Sequence, residues 1–170
     1  PAGLPDRFAP GRSAVAVEAV GEGHIHLSAV AVLDDGTRIV LHVGDDEGRL
    51  ATSPVTRRWP IVRQAWRDWL DTPAFALGET QFVALSPDLL VASLVAVHAP
   101  DRRRQRGSLP LRLPALRKCL RAVGTEARRF GASVHLSRTP DWPHVEVLLQ
   151  EELAGHLEVY VYDAPVPPDA

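Results

Sequence analysis

The chain has 170 residues, with 19 Lys plus Arg against 21 Asp plus Glu and a formal net charge of -2 at pH 7. That length suits one domain with a full core, since a chain near 150 residues buries roughly 70% of its unfolded surface, and the balanced charge excludes a general field for collecting nucleic acid or anionic membrane. A lone Cys119 excludes an intramolecular disulfide framework and a multi-cysteine zinc site, and no apolar run approaches the about 20 residues that span a bilayer, so the chain reads as a soluble, cytoplasmic protein without a signal peptide.

Residues 1–12 and 164–170 are Pro-rich without periodicity, so a single domain is expected over 13–163, with tails at 1–12 and 164–170. Ser13 to Val20, His24 to Leu33 and Arg38 to Val43 are strand candidates, and the Asp34-Asp35-Gly36 turn predicts a hairpin between the last two. Pro60 stands where a first helical residue tolerates proline, and Ile61, Val62, Ala65, Trp66 and Trp69 form one apolar stripe. Gln81 to Leu85 and Leu89 to Val97 read as strands around Ser86-Pro87-Asp88, the second apolar but for Ser93 and therefore expected to be central. Pro114 opens a long helix with Leu116, Cys119, Leu120, Val123, Ala127 and Phe130 at helical spacing and Gly131 at the stop. Ala132 to Leu136 is a short strand. Asp141 or Trp142 is positioned to cap a helix with Pro143 at its start and Val145, Leu148, Leu149 and Leu153 inward, before a last strand from Leu157 to Tyr162.

Strands followed by alternating helix and strand predict an α/β fold, a mixed sheet with helices on its faces. Ligands in such sheets bind beyond the carboxyl ends of strands, which points to the loops after Val43, Val97 and Leu136. Composition narrows the chemistry there: the chain has no Met, no Asn and a single Lys, Lys118, against 18 Arg. GC-rich coding explains that bias, and without Met the chain is either processed or part of a longer one.

The segment Arg38-Ile39-Val40-Leu41-His42-Val43-Gly44-Asp45-Asp46-Glu47-Gly48, then Thr56-Arg57-Arg58-Trp59-Pro60 and the helix to Trp69, resembles the buried strand, ligand loop and following helix of the macrodomain family. Gln81 to Val97 resembles its paired strands. Gly131 to Leu136, Asp141-Trp142-Pro143 and the apolar helix to Leu153 resemble its last strand, loop and helix. The likeness is to bacterial members near the terminal ADP-ribose glycohydrolase branch and runs from about Val20 to Asp163. It implies a three-layer α/β/α fold with a mixed central sheet and recognition of ADP-ribose or a related nucleotide.

The departures from the family pattern fall in its phosphate loops, where glycines normally let backbone N–H groups crowd a phosphate. Where the family carries an Ile-Gly-Thr-Gly type stretch, this chain has Ser137-Arg138-Thr139-Pro140-Asp141, shorter and free of Gly. The other loop is reduced to Asp46-Glu47-Gly48-Arg49, which sets Glu47 against an anion. By resemblance the ligand-binding candidates are Glu22, Gly44, Asp45, Asp46, Gly48, Ser137, Arg138 and Thr139. Glu22 would take the adenine amino group, and Arg138 would replace lost glycine donors with a guanidinium. Asp45, Asp46 and Asp141 are the catalytic candidates, as general acids or bases or as holders of a water.

Each has a plainer reading: a turn carboxylate for Glu22, a polar loop for the aspartates, an exposed side chain or an ion pair with Asp141 for Arg138. Arg102, Arg103, Arg104 and Arg106 suit a solvated loop better than RNA, because no aromatic residue there offers base stacking. His24 and His26 share one strand face and could pair as metal ligands with a third group such as His42, but histidines on strands are more often partners of backbone groups, so no metal site or cofactor is expected. Cys119 reads as a core residue and the Trp residues as helix-to-sheet packing. The leading expectation is a degenerate macrodomain, a pseudoenzyme with weak or altered ADP-ribose recognition. The alternatives are a protein-interaction or scaffold module without ligand and a divergent ADP-ribosyl hydrolase. No membrane partner is expected.

Overall fold

The computed structural model describes residues 18–20, 25–29, 31, 33, 36–50, 54–104, 110–139, 141–164 and 166. In chain order the elements are β1 (Glu18–Val20), β2 (Ile25–Ser28), β3 (Arg38–Asp45), α1 (Pro54–Arg58), α2 (Pro60–Leu70), β4 (Thr80–Ser86), β5 (Leu89–Val97), α3 (Ala99–Arg104), α4 (Leu113–Phe130), β6 (Ser133–Ser137), α5 (Trp142–Leu149) with a π-helical turn (Gln150–Ala154), and β7 (Val159–Tyr162). The strands form one sheet in the order β1-β2-β7-β6-β3-β5-β4. Only the outer pairs β1/β2 and β4/β5 are antiparallel; β2, β7, β6, β3 and β5 all run one way.

Alternation along β3 splits its side chains between two layers. Ile39 and Leu41 join the larger core under α4 and α5, with Leu94, Leu120, Leu136 and Leu149, while Val40 joins a smaller cluster with Val55 of α1 and Val62 of α2. The result is a three-layer α/β/α domain around a mixed sheet. The three helices expected to open on Pro60, Pro114 and Pro143 all form, and Gly131 ends α4 in the left-handed conformation at φ 62° with its N–H on the carbonyls of Ala127 and Arg128. No helix among the described residues is long and apolar enough to cross a membrane.

Four expectations need correction. The hairpin between the second and third strands does not form: β2 pairs with β1 and β7, and β3 lies between β6 and β5, because the two strands run parallel and a two-residue reversal can join only antiparallel neighbours. Strand β5 is buried on both faces as its sequence demands, yet it lies one strand in from the edge formed by β4. Ile61 and Phe130, placed on inward stripes, are 59% and 45% exposed, one in the first turn of α2 and the other at the last residue of α4. The stretches before Pro60 and after Val97, read as polar loops, each hold a short helix, α1 and α3. Residues 13–17 of the first predicted strand, Asp34 and Asp35 lie outside the described residues. At the other end the packed chain continues past Asp163, with Val166 buried at 3% exposure.

Candidate functional site

The parallel run brings the carboxyl ends of β3, β5, β6 and β7 to one edge of the sheet. Strand β3 leaves that edge through an irregularity between Gly44 and Asp45. Asp45 is 1% exposed. Its Oδ1 accepts the N–H groups of Glu47 at 3.0 Å and Arg49 at 2.9 Å, and its Oδ2 accepts Nη1 of Arg102 at 3.2 Å. The neighbouring Asp46 turns the other way, accepting the Ala99 N–H at 2.8 Å and Nδ1 of His98 at 2.6 Å. Burial opposes its charge, but the bonds from Ala99 and His98 outweigh that and hold its pKa below the usual carboxylate value. Both carboxylates therefore anchor the β3 loop and α3. Glu47 is exposed and pairs with Arg103 at 2.8 Å.

Gly44 and Gly48 each allow a close approach, and in this protein α2 occupies it. A Cβ on Gly44 would lie 2.5 Å from the Trp66 ring, and one on Gly48 2.5 Å from Leu70. Trp66 is locked there by an Nε1–H donated to the Gly48 carbonyl at 2.8 Å.

On the β6 side, Ser137 Oγ donates to the Ala164 carbonyl and accepts the Val166 N–H, both at 3.2 Å. The Arg138 N–H is taken by the Tyr162 carbonyl at 2.7 Å. Its guanidinium lies 3.4 Å from Asp163 and 5.2 Å above the Trp142 ring, so the ion pair expected with Asp141 is made with Asp163 instead. Thr139 Oγ1 is buried without a hydrogen-bond partner. Asp141 stands at the start of α5 in the left-handed conformation, φ 60°, where its side chain does not cap the helix and instead accepts Nδ1 of His144 at 2.7 Å.

Between the ends of β3 and β6 lies a cavity of about 200 Å³, lined among others by Leu41, His42, Leu94, Leu136, Arg138 and Thr139. His42 is buried, with Nε2 2.5 Å from Ser93 Oγ and no partner on Nδ1. Burial lowers its pKa to about 4, so the imidazole is neutral.

Other sequence candidates scatter. Glu22, His24 and Arg106 lie outside the described residues. His26 pairs with Glu158 and stacks on Tyr160, apart from His42 with its Ser93 partner; no group of metal-ligating side chains forms among the described residues. Cys119 is buried in the main core, where burial pushes its thiol pKa up. Lys118 pairs with Glu79 at 2.5 Å on the exposed side of α4, and that bond raises its pKa.

Sequence reasoning missed His98 as the partner of Asp46, and missed α3 as the element supplying Arg102 and Arg103 to the acidic loop. The signal available was a histidine directly after β5, which is apolar but for Ser93, at the strand end where ligand or loop contacts concentrate.

The layers and the parallel strand ends gathered at one edge define a three-layer α/β/α domain with a cleft at that edge. No family model matches the chain, and no curated protein does. Solved structures do. A macrodomain protein from Streptomyces coelicolor is 31% identical, covering 82% of this chain and 98% of that one with a TM-score of 0.71. A protein from Bacteroides thetaiotaomicron is 26% identical over 84% of this chain and 99% of that one, TM-score 0.74. Thermosipho africanus DarTG in complex with ADP-ribose shares the fold at 13% identity, covering 86% of this chain and 43% of that one, TM-score 0.58. The chain belongs to the macrodomain family.

Proposed function

We propose that this macrodomain recognises ADP-ribose or a related nucleotide at the strand edge between β3 and β6, with a weakened hold on the phosphates and without efficient hydrolysis. Family membership and the ADP-ribose in the related DarTG structure support the ligand class. The observation that carries the weakened grip is the state of the loops. Gly44 and Gly48 are covered by Trp66 and Leu70, the Ser137 to Asp141 connection contains no glycine, and the Arg138 N–H is already given to Tyr162. The donors left for an anion are the Arg138 guanidinium and the Thr139 hydroxyl.

Among the described residues the candidate acids for hydrolysis are already engaged, Asp141 by His144. Asp45 and Asp46 are engaged by backbone N–H groups, Arg102 and His98. The single amine side chain, Lys118, is held protonated against Glu79 on α4, and no Asn is present to fix a ribose and its water. Calorimetric titration with ADP-ribose tests the reading. Micromolar binding is expected, weakened roughly tenfold or more in Arg138→Ala, because a charge-assisted bond contributes about 1.5–3 kcal/mol. Silence at millimolar ADP-ribose would favour the scaffold reading. Repeated turnover of mono-ADP-ribosylated protein or O-acetyl-ADP-ribose would make the protein a hydrolase.

A further inference from the structure

We propose that the cavity between β3 and β6 takes a small amphipathic carboxylate, its ring-sized apolar body inside and its carboxylate on Arg138. The inference rests on this strand edge being a ligand site, and it specifies which end of a ligand enters.

Size is the first argument. The cavity holds about 200 Å³, whereas sites for drug-sized ligands run from about 300 to 1,000 Å³ and an apolar hole of about 150 Å³ accepts benzene. An aryl ring with a short side arm fits inside; of a longer ligand such as ADP-ribose only one end would enter. The second argument is the wall. Leu41, Leu94, Leu120 and Leu136 line it and belong to the main core. Against these leucines a phosphate or a polyhydroxyl sugar would lose its water without gaining partners, so the part of the ligand that meets them is apolar, and its polar end faces the side of the lining that carries His42, Ser137, Arg138 and Thr139.

The third argument is the rim. Arg138 lines the same cavity with its side chain 42% exposed, and its partner Asp163 is 58% exposed at 3.4 Å. Such a surface pair is weak and readily exchanged for another carboxylate, which a guanidinium meets through two parallel N–H groups. Thr139, also on the lining, adds a hydroxyl that makes no hydrogen bond in the protein.

The test is a set of calorimetric or ligand-observed NMR titrations of the whole chain with phenylacetate, phenylacetamide, acetate and ADP-ribose, each alone. Phenylacetate should bind at least tenfold more tightly than phenylacetamide, which lacks the charge, and than acetate, which lacks the ring. Arg138→Gln should reduce phenylacetate to the level of phenylacetamide. Leu136→Phe, checked for folding by circular dichroism, should abolish binding by filling the cavity; if it fails to fold, the Arg138→Gln and acetate comparisons still decide. No phenylacetate binding at millimolar concentration, equal binding of acetate, or an affinity unmoved by Arg138→Gln would overturn the proposal. ADP-ribose binding with phenylacetate silent sinks this inference and leaves the nucleotide reading standing; the reverse pattern does the opposite.

Discussion

Replacing Asp45 tests whether the acid at the end of β3 is an anchor. At 1% exposure its carboxylate accepts two backbone N–H groups of the following loop, at 3.0 and 2.9 Å, and the Arg102 guanidinium at 3.2 Å. Hydrogen bonds to a charged acceptor contribute about 1.5–3 kcal/mol each, so the two backbone bonds set a range of about 3–6 kcal/mol. The Arg102 side chain is 33% exposed, and screening reduces its contribution to below about 1 kcal/mol. Glu47 and Arg49 are exposed, which lets water reach part of the freed loop and pulls the total to the low end. Asp45→Ala should therefore cost about 3 kcal/mol, a melting shift of roughly 6–12 °C for a domain of this size. Asp45→Asn retains an acceptor oxygen for the two N–H groups but loses the charge and turns the acceptor of Arg102 into an NH2 donor, so a smaller loss of about 1–2 kcal/mol is expected. Urea unfolding of the three proteins, with the slope checked for constancy, measures both values. Equal destabilisation by Ala and Asn, or a loss below about 1 kcal/mol in Ala, would refute the anchoring argument.

His42 makes stability depend on pH. Its folded pKa is about 4 against an ordinary 6.5, so the unfolded chain takes the proton first. Stability is full above pH 6.5, falls on the order of 3 kcal/mol between 6.5 and about 4, and levels off below. His42→Gln should flatten that part of the profile in urea unfolding at pH 7.5, 5.5 and 4.5; an unchanged slope argues against a buried neutral imidazole. Gly44→Ala drives a methyl to 2.5 Å from a Trp66 ring held by its own hydrogen bond, and about 1–3 kcal/mol of overpacking should appear in thermal melts together with a changed near-ultraviolet tryptophan signal. Trp66→Ala should cost about 3–5 kcal/mol, while the exposed Ile61→Ser on the same helix stays within about 0.5 kcal/mol; similar losses in the two would contradict the orientation of α2.

The features legible in the sequence were those whose physics is local. Proline at a helix start, leucine and valine at helical spacing along α4, glycine at its stop and the largely apolar run of β5 each depend on neighbours within a few residues, and each formed. The absence of glycine from 137–141 was equally plain, because a missing residue type needs no partner to be read. Ile61 and Phe130 were misplaced because periodicity gives a helical face and says nothing of how far along it the packing extends. The aspartates show the wider limit. That Asp45 and Asp46 close a strand is written in the sequence, but their partners Arg102 and His98 stand 57 and 52 residues away and arrive only because β5 pairs beside β3. The same holds for the cavity, whose leucines come from β3, β5, β6, α4, α5 and the segment before α4. Hydrophobic patterns determine which residues must leave water; the order in which strands pair determines whom they meet, and that order is set by burial of the whole sheet on both faces at once.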